Sequence, residues 1–326
     1  MEKVGISERP HRSTKRSEVR VGSEVKYGLE REVNKMETAE IAFPNLGIYI
    51  PHLPKGITIG SFTIAYYGII IAIGMLSGLW LACFQAKRTN QKKEVYTDFA
   101  IYAIIFSIIG ARLYYVAFSW DYYKDNLLQV FNTRGGGMAI YGAVIAAVLT
   151  AIIYCKVKKY NFFLLADTAV GGLVLGQIIG RYGNFFNREA FGEYTNGLFA
   201  MRLRVDQVNS ANITEAMRDH ITTFDGIQYI QVHPTFLYES LWNILVLVLI
   251  LVFTKKKKFN GEIFLIYLVG YALGRVWIEG LRTDQLQIAK TGIAVSQLLS
   301  AVIVVAGVVA WIVVRVRQKK LACQNK

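Results

Sequence analysis

Residues 162–180 read FFLLADTAVGGLVLGQIIG, and the chain continues RYGNFFNREAFG over 181–192. The first run holds a single charge, Asp167, and is close to the ~20 apolar residues that cross a bilayer as a helix. The second run turns polar at once, with Arg181, Asn184, Asn187, Arg188 and Glu189 in quick succession. The passage reads as a membrane span that surfaces and carries a polar cluster at its exit. Six further apolar segments lie around it, at about 62–84, 99–118, 137–155, 233–253, 261–281 and 293–314. The fold class this implies is an all-α polytopic membrane protein with seven transmembrane helices and a small cap on the outer side.

Composition agrees. Hydrophobic residues are 53% of the 326 and charged residues 18%, against about 25% charged in a soluble domain. Mean hydropathy is +0.33. The net charge of +14 sits largely in short clusters between apolar runs and not on one basic face, so no nucleic-acid partner is expected. Cys83, Cys155 and Cys323 are far apart and odd in number, which builds neither a disulfide framework nor a zinc motif. Four histidines make a His-rich metal site improbable.

The loops set an orientation. The loops at 85–98, 156–161 and 254–260 and the tail carry sixteen lysines and arginines, while the short loops opposite carry four. The positive-inside rule puts the C-terminus in the cytoplasm and the N-terminus outside. Residues 1–40 hold nine basic and eight acidic residues without an apolar run. They are expected to form a disordered charged extension, with a natural start at Met36. The membrane domain is then 41–318, with a cytoplasmic tail at 319–326. The loop 181–232 is too long for a minimal connector and is expected to fold as the cap. Residues 41–60 mix apolar residues with Pro and Gly and are expected to lie along the outer interface.

Charges inside apolar runs need a partner or a function. They are Arg112, Asp167, Glu239, Arg275 and Glu279, with Arg181 at the end of the fourth span. Tyr271, Arg275, Glu279 and Arg282 recur at helical spacing and share one face. That face is either a structural ion-pair ladder or the polar wall of a substrate cavity. Residues 180–192 carry more polar groups than a helix end needs, which favours a ligand-binding elbow. At 233–240, HPTFLYES opens the fifth span; Glu239 is expected to pair with an arginine across the bundle. The glycines of 135–142 (GGGMAIYG) suit an anion nest of N–H groups or close helix packing equally. There is no P-loop, H-E-x-x-H zinc motif or G-x-S-x-G elbow. What remains is a membrane-embedded site with several arginines near the outer leaflet, and the guanidinium fork matches a lipid phosphate.

Together these blocks resemble the bacterial phosphatidylglycerol–prolipoprotein diacylglyceryl transferase family. The carriers are Gly180 to Gly192, Ala65-Tyr66-Tyr67-Gly68, Gly110-Ala111-Arg112-Leu113, Gly136 to Gly142, His233-Pro234-Thr235 through Glu239, and Tyr271 through Arg282. The resemblance covers roughly 41–315. It implies a seven-helix plasma-membrane enzyme. Such an enzyme moves the diacylglyceryl group of phosphatidylglycerol onto the lipobox cysteine of a preprolipoprotein and releases glycerol phosphate, without metal or nucleotide. It places Arg181, Asn184, Glu189, Gly192, Tyr271, Arg275, Glu279, Tyr67 and Asp167 at functional positions. Many members carry histidine where this chain has Tyr141, and an unperturbed phenol with pKa near ~10 is a poor base. On this reading Arg181 and Arg275 meet the phosphate and Asn184 orients the head group. Glu189 and Glu279 hold the arginines, and Tyr141 contacts the head group or relays a proton. The competing reading is a secondary transporter of an anionic lipid or metabolite; no internal repeat supports it.

Overall fold

A computed structural model describes residues 38–133, 136–287 and 292–324. The charged segment 1–37, with the start expected at Met36, lies outside the described residues. Two compact units are present. One contains the described residues up to 54 together with 192–234; the other contains 55–191 and 235 onward.

The larger unit is helical. Its long helices are α1 (Tyr66–Arg88), α2 (Lys93–Phe118), α3 (Ile140–Val157), α4 (Phe162–Asn187), α5 (Thr235–Phe253), α6 (Glu262–Glu279) and α7 (Val295–Gln324). Among the described residues, six helices are long and apolar enough to cross a membrane. The seventh, α6, has 18 residues but carries Glu262, Arg275 and Glu279. The chain is therefore a polytopic membrane protein, and α6, with three charges in its 18 residues, is not among those six. The outward faces are apolar, as at Leu76, Trp80, Leu113 and Val305.

Small residues let the central helices touch. Gly74 and Gly78 on α1 meet Gly176 and Gly172 on α4; a Cβ on Gly78 would lie 2.6 Å from the Gly172 carbonyl oxygen and one on Gly74 3.2 Å from that of Gly176. Both helices thus present glycines four residues apart, the spacing that brings membrane helices into backbone contact. α4 is the most buried of the candidate spans. Val170, Val174 and Ile178 of α4 pack with Val246 and Ile250 of α5 and Ile263 and Tyr267 of α6. On another side, Leu165 of α4 packs with Ala82, Ala86, Tyr96, Ala151 and Cys155.

At the end where α4 begins, Asp167 receives the N–H groups of Gly261 (2.8 Å) and Phe264 (2.9 Å) and pairs with Lys257 at 3.0 Å. Gly261 has no side chain to cap α6, so Asp167 does so from the neighbouring helix. Nearby, Glu262 accepts from Trp311 at 2.9 Å and from Arg315 at 2.7 Å, fastening α7 to α6.

The smaller unit is a five-stranded antiparallel sheet. Its strands are β1 (Ile41–Phe43), β2 (Ile48–Ile50), β5 (Met201–Arg204), β6 (Thr222–Phe224) and β7 (Ile227–Val232), in the order β2-β1-β5-β7-β6. Ile41, Ala42, Leu203, Tyr229, Ile230 and Val232 are buried in it. Two boundaries differ from the sequence reading. Residues 181–191 belong to the helical unit, not to the folded loop. Residues 41–50 are strands of the sheet, in which Ile41 and Ala42 pair with Leu203 and Arg202 some 160 positions on. Order also starts before residue 41: Ala39 is buried and the Glu40 carboxylate accepts the Leu53 N–H at 2.7 Å. Residues 56–65 form a separate hairpin, β3 (Gly56–Ile59) and β4 (Phe62–Ala65), that leads directly into α1.

Candidate active site

The polar elbow after α4 is a helix terminus held in a tight reversal. Arg188 takes a left-handed conformation (φ 56°) and closes α4 through N–H bonds to the Asn184 and Phe185 carbonyls. Ala190 is left-handed as well (φ 55°). Neither is glycine, so each stores backbone strain on the order of 1 kcal/mol, a cost characteristic of functional sites. The Glu189 N–H returns to the Asn184 carbonyl at 3.1 Å, and the Asn184 amide donates to the Glu189 carboxylate at 2.9 Å. The Thr235 hydroxyl donates to the Ala190 carbonyl, which ties the start of α5 to the elbow. Gly183 makes room for the Tyr67 ring; a Cβ there would lie 2.8 Å from it.

One turn back on α4, Arg181 reaches across to Glu239 of α5 at 2.7 Å. The same carboxylate meets Arg275 of α6 at 3.2 Å and Arg282, just past α6, at 3.6 Å. Glu239 is buried, with 3% of its side chain exposed, while the three arginines keep 14–19%. Arg275 also pairs with Glu279 one turn along α6, and Ser296 of α7 donates to Glu279 at 2.6 Å. Arg282 grips Asp284 through two bonds of 2.9 and 2.8 Å. Burial pushes the Asp284 carboxyl up, but the Arg282 hydrogen bonds and charge outweigh it and hold the group below its ordinary value. Four helices therefore converge on three guanidinium groups and three carboxylates at one end of the bundle.

The residues picked out from sequence divide into three groups. Arg181, Arg275 and Glu279 meet here, and Asn184, Glu189 and Tyr67 form the adjoining elbow. Glu189 bonds Asn184; among the described residues it has no ion pair with an arginine, and Glu239 binds all three. Tyr271 stacks on Tyr267 (5.6 Å between centroids), whose hydroxyl accepts from Gln177 at 3.0 Å. Asp167 is not brought to the site. It lies fourteen positions before Arg181 on the same helix, about 21 Å along the axis, and its oxygens are used on Lys257 and the α6 terminus. Tyr141 opens α3, is 44% exposed and has no side-chain hydrogen bond among the described residues. Gly192 belongs to the sheet unit, where its N–H bonds the His233 carbonyl at 2.9 Å.

Sequence reasoning placed Glu239 among the paired charges but not among the site residues. Its position one turn inside a helix start was the available signal. Asp284 and Ser296 gave no signal, since both sit in ordinary polar surroundings in the sequence.

Residues 54–313 match the family model described as prolipoprotein diacylglyceryl transferase. Among curated proteins, one from Bacillus cytotoxicus named phosphatidylglycerol–prolipoprotein diacylglyceryl transferase is 42% identical over 269 residues, covering 82% of this chain and 93% of that protein. A Listeria welshimeri protein of the same name is 44% identical over 257 residues, covering 78% and 87%. A Bacillus cereus counterpart is 40% identical over 269 residues. With the convergent arginines lying inside the matched region, the chain belongs to the prolipoprotein diacylglyceryl transferase family.

Proposed function

We propose that this protein transfers the diacylglyceryl group of phosphatidylglycerol to the lipobox cysteine of preprolipoproteins. The observation that carries the reading is the convergence of Arg181, Arg275 and Arg282 on the buried Glu239 in a chain about 42% identical to relatives of that name.

The chemistry is a displacement at a glyceryl carbon. The substrate sulfur forms a C–S bond while the carbon–oxygen bond to phosphate breaks, and glycerol phosphate leaves with the electron pair. A thiolate is the competent nucleophile, because a free thiol ionises only near pH ~8.5. The thiol proton passes to a phosphate oxygen of the substrate or to a carboxylate. The leaving phosphate gains charge in the transition state, and preorganised guanidinium groups in a water-poor site stabilise such charge best. Arg181 and Arg275 are assigned to it, with Glu239 and Glu279 fixing their forks. Asn184, steadied by Glu189, orients the head group, and Tyr67 and Tyr271 contribute to substrate binding. Tyr141 contacts the head group or relays the proton. The protein acts in the bacterial plasma membrane with seven spans, its N-terminus outside and its C-terminus in the cytoplasm. The loop 181–232 is assigned to the outer side of the membrane. A secondary transporter is not favoured, since the relatives are named as transferases.

Purified protein in detergent, given phosphatidylglycerol and a lipobox-cysteine peptide, should add one diacylglyceryl mass to the peptide. A Cys→Ser peptide should gain nothing. Arg181→Ala and Arg275→Ala should abolish the gain while the protein remains folded. No gain from intact, lipid-loaded protein would overturn the proposal, and full activity in both variants would overturn the arginine assignment.

A further inference from the structure

Arg112 is a buried charge in the apolar body of α2, and among the described residues it has no acidic partner. Its guanidinium instead donates to five backbone carbonyls. Nε bonds Val130 (2.7 Å), Nη1 bonds Gly136 and Gly137 (both 2.9 Å), and Nη2 bonds Gln129 (2.6 Å) and Asn132 (2.9 Å). All five N–H donors of the fork are thereby matched to acceptors. Gly136 and Gly137 are left-handed (φ 89° and 78°), and a Cβ on Gly137 would lie 2.5 Å from Nη1. These two glycines are the cradle of a cation from the chain itself: their carbonyls, turned inward, are what Arg112 uses.

The segment held in this way exposes what a water-facing loop avoids. Leu127–Phe131 is a 3₁₀ turn in which Leu127, Leu128 and Phe131 are 58%, 81% and 83% exposed. Leu128 and Phe131 are three apart and eclipse on one side of such a turn. Both ends of the segment are anchored to spans, Phe118 closing α2 and Ile140 opening α3. Trp120 and Tyr122 are also exposed, and both are of the types enriched at membrane–water interfaces. The Asp121–Lys124 pair (2.8 Å) supplies the polar rim. Non-helical backbone enters hydrocarbon only where its polar groups are satisfied from within the protein.

We propose that Leu127–Phe131 lies in the acyl region of the leaflet at that end of the bundle, as a lipid-embedded plate. Arg112 is the positioning residue that satisfies its carbonyls. The occupant of the apolar face is lipid, because the face is continuous with two spanning helices and rimmed by interfacial aromatics.

The test places nitroxide labels through Asp125→Cys, Leu128→Cys or Phe131→Cys in a chain carrying Cys83→Ser, Cys155→Ala and Cys323→Ser. The protein is held in phosphatidylglycerol-containing nanodiscs. Collision with dioxygen, which partitions into lipid, is compared with collision with a water-soluble nickel chelate. The expected ratio at 128 and 131 is at least tenfold above that at 125. Nickel-dominated relaxation at both sites would place the plate in water and overturn the proposal. Protection from both reagents would mean a protein partner and would overturn it equally. Arg112→Gln should lower the ratio at 131 at least threefold, and Arg112→Lys, which keeps charge but loses the fork, should do the same. An unchanged ratio in a folded variant would remove Arg112 from the account, and the measurement with Arg112 intact decides the lipid contact if both variants unfold.

Discussion

Replacing Glu239 by Gln keeps the shape of the side chain and removes the one carboxylate that three arginines share. The partners are not equally affected. Arg275 keeps Glu279 and Arg282 keeps Asp284. Arg181 loses its one acidic partner among the described residues, at 2.7 Å and largely out of water. Breaking a buried pair from one side costs about 3–5 kcal/mol. The low end, about 3 kcal/mol, applies because the arginines retain some solvent contact. If Arg181 must then be reoriented for each turnover, kcat falls ~100-fold, about 2.7 kcal/mol at 1.36 kcal/mol per decade. KM for the lipid should not rise. The cluster of Arg181, Arg275 and Arg282 with Glu239, Glu279 and Asp284 is formally neutral, and the substitution leaves it one unit positive toward an anionic lipid. The assay is peptide diacylglyceryl transfer in mixed micelles with the mole fraction of phosphatidylglycerol varied, alongside a thermal melt. A kcat within threefold of the parent would refute the positioning argument. A tenfold rise in KM at constant kcat would refute it differently, by showing uniform substrate binding.

Asp167→Ala should lower stability by about 3 kcal/mol, since it removes the cap of α6 and the buried carboxylate that Lys257 pairs with, while kcat stays within threefold of the parent; a selective loss of transfer in a stable variant would return Asp167 to the active site. Gly172→Ala drives a methyl into the Gly78 carbonyl and should destabilise by about 1–3 kcal/mol through overpacking, read as a lower melting temperature in detergent; an unchanged melt would show that α1 and α4 have room to separate. Burial holds the His233 imidazole below its ordinary value of 6.5, against the opposing charge of Glu193. The unfolded chain therefore binds the proton more readily, so the stability this group contributes is complete above about pH 6.5 and falls as pH drops toward the folded value. The protection factors of the β7 amides, corrected for intrinsic exchange, should fall between pH 7.5 and 5, and His233→Gln should flatten that dependence; an equal fall in the variant would assign it to another group.

The spans were legible because the bilayer imposes a length and a composition that each segment must meet by itself. Expected 99–118, 162–180 and 233–253 correspond to helices Lys93–Phe118, Phe162–Asn187 and Thr235–Phe253. The charged face of α6 was legible for a similar reason, since residues at four-residue spacing meet on one helix whatever surrounds it. Which charges meet across helices was not written locally. Glu239 shares its carboxylate among arginines 58 positions before it and 36 and 43 positions after it, a choice made by how α4, α5 and α6 pack. Asp167 illustrates the converse. The family resemblance placed it at a functional position, and the fold shows its oxygens spent on the N-terminus of a helix that begins with glycine. The sheet was the least legible part. β1 is three residues long and pairs on one side with the next strand, β2, and on the other with β5, some 160 positions on, so no local period announced it. The sequence alone thus determined the membrane class and the family, which rest on local hydrophobicity and contiguous motifs. Tertiary structure decided which partner each buried charge takes, because a charge removed from water must find its counterpart in space and not along the chain.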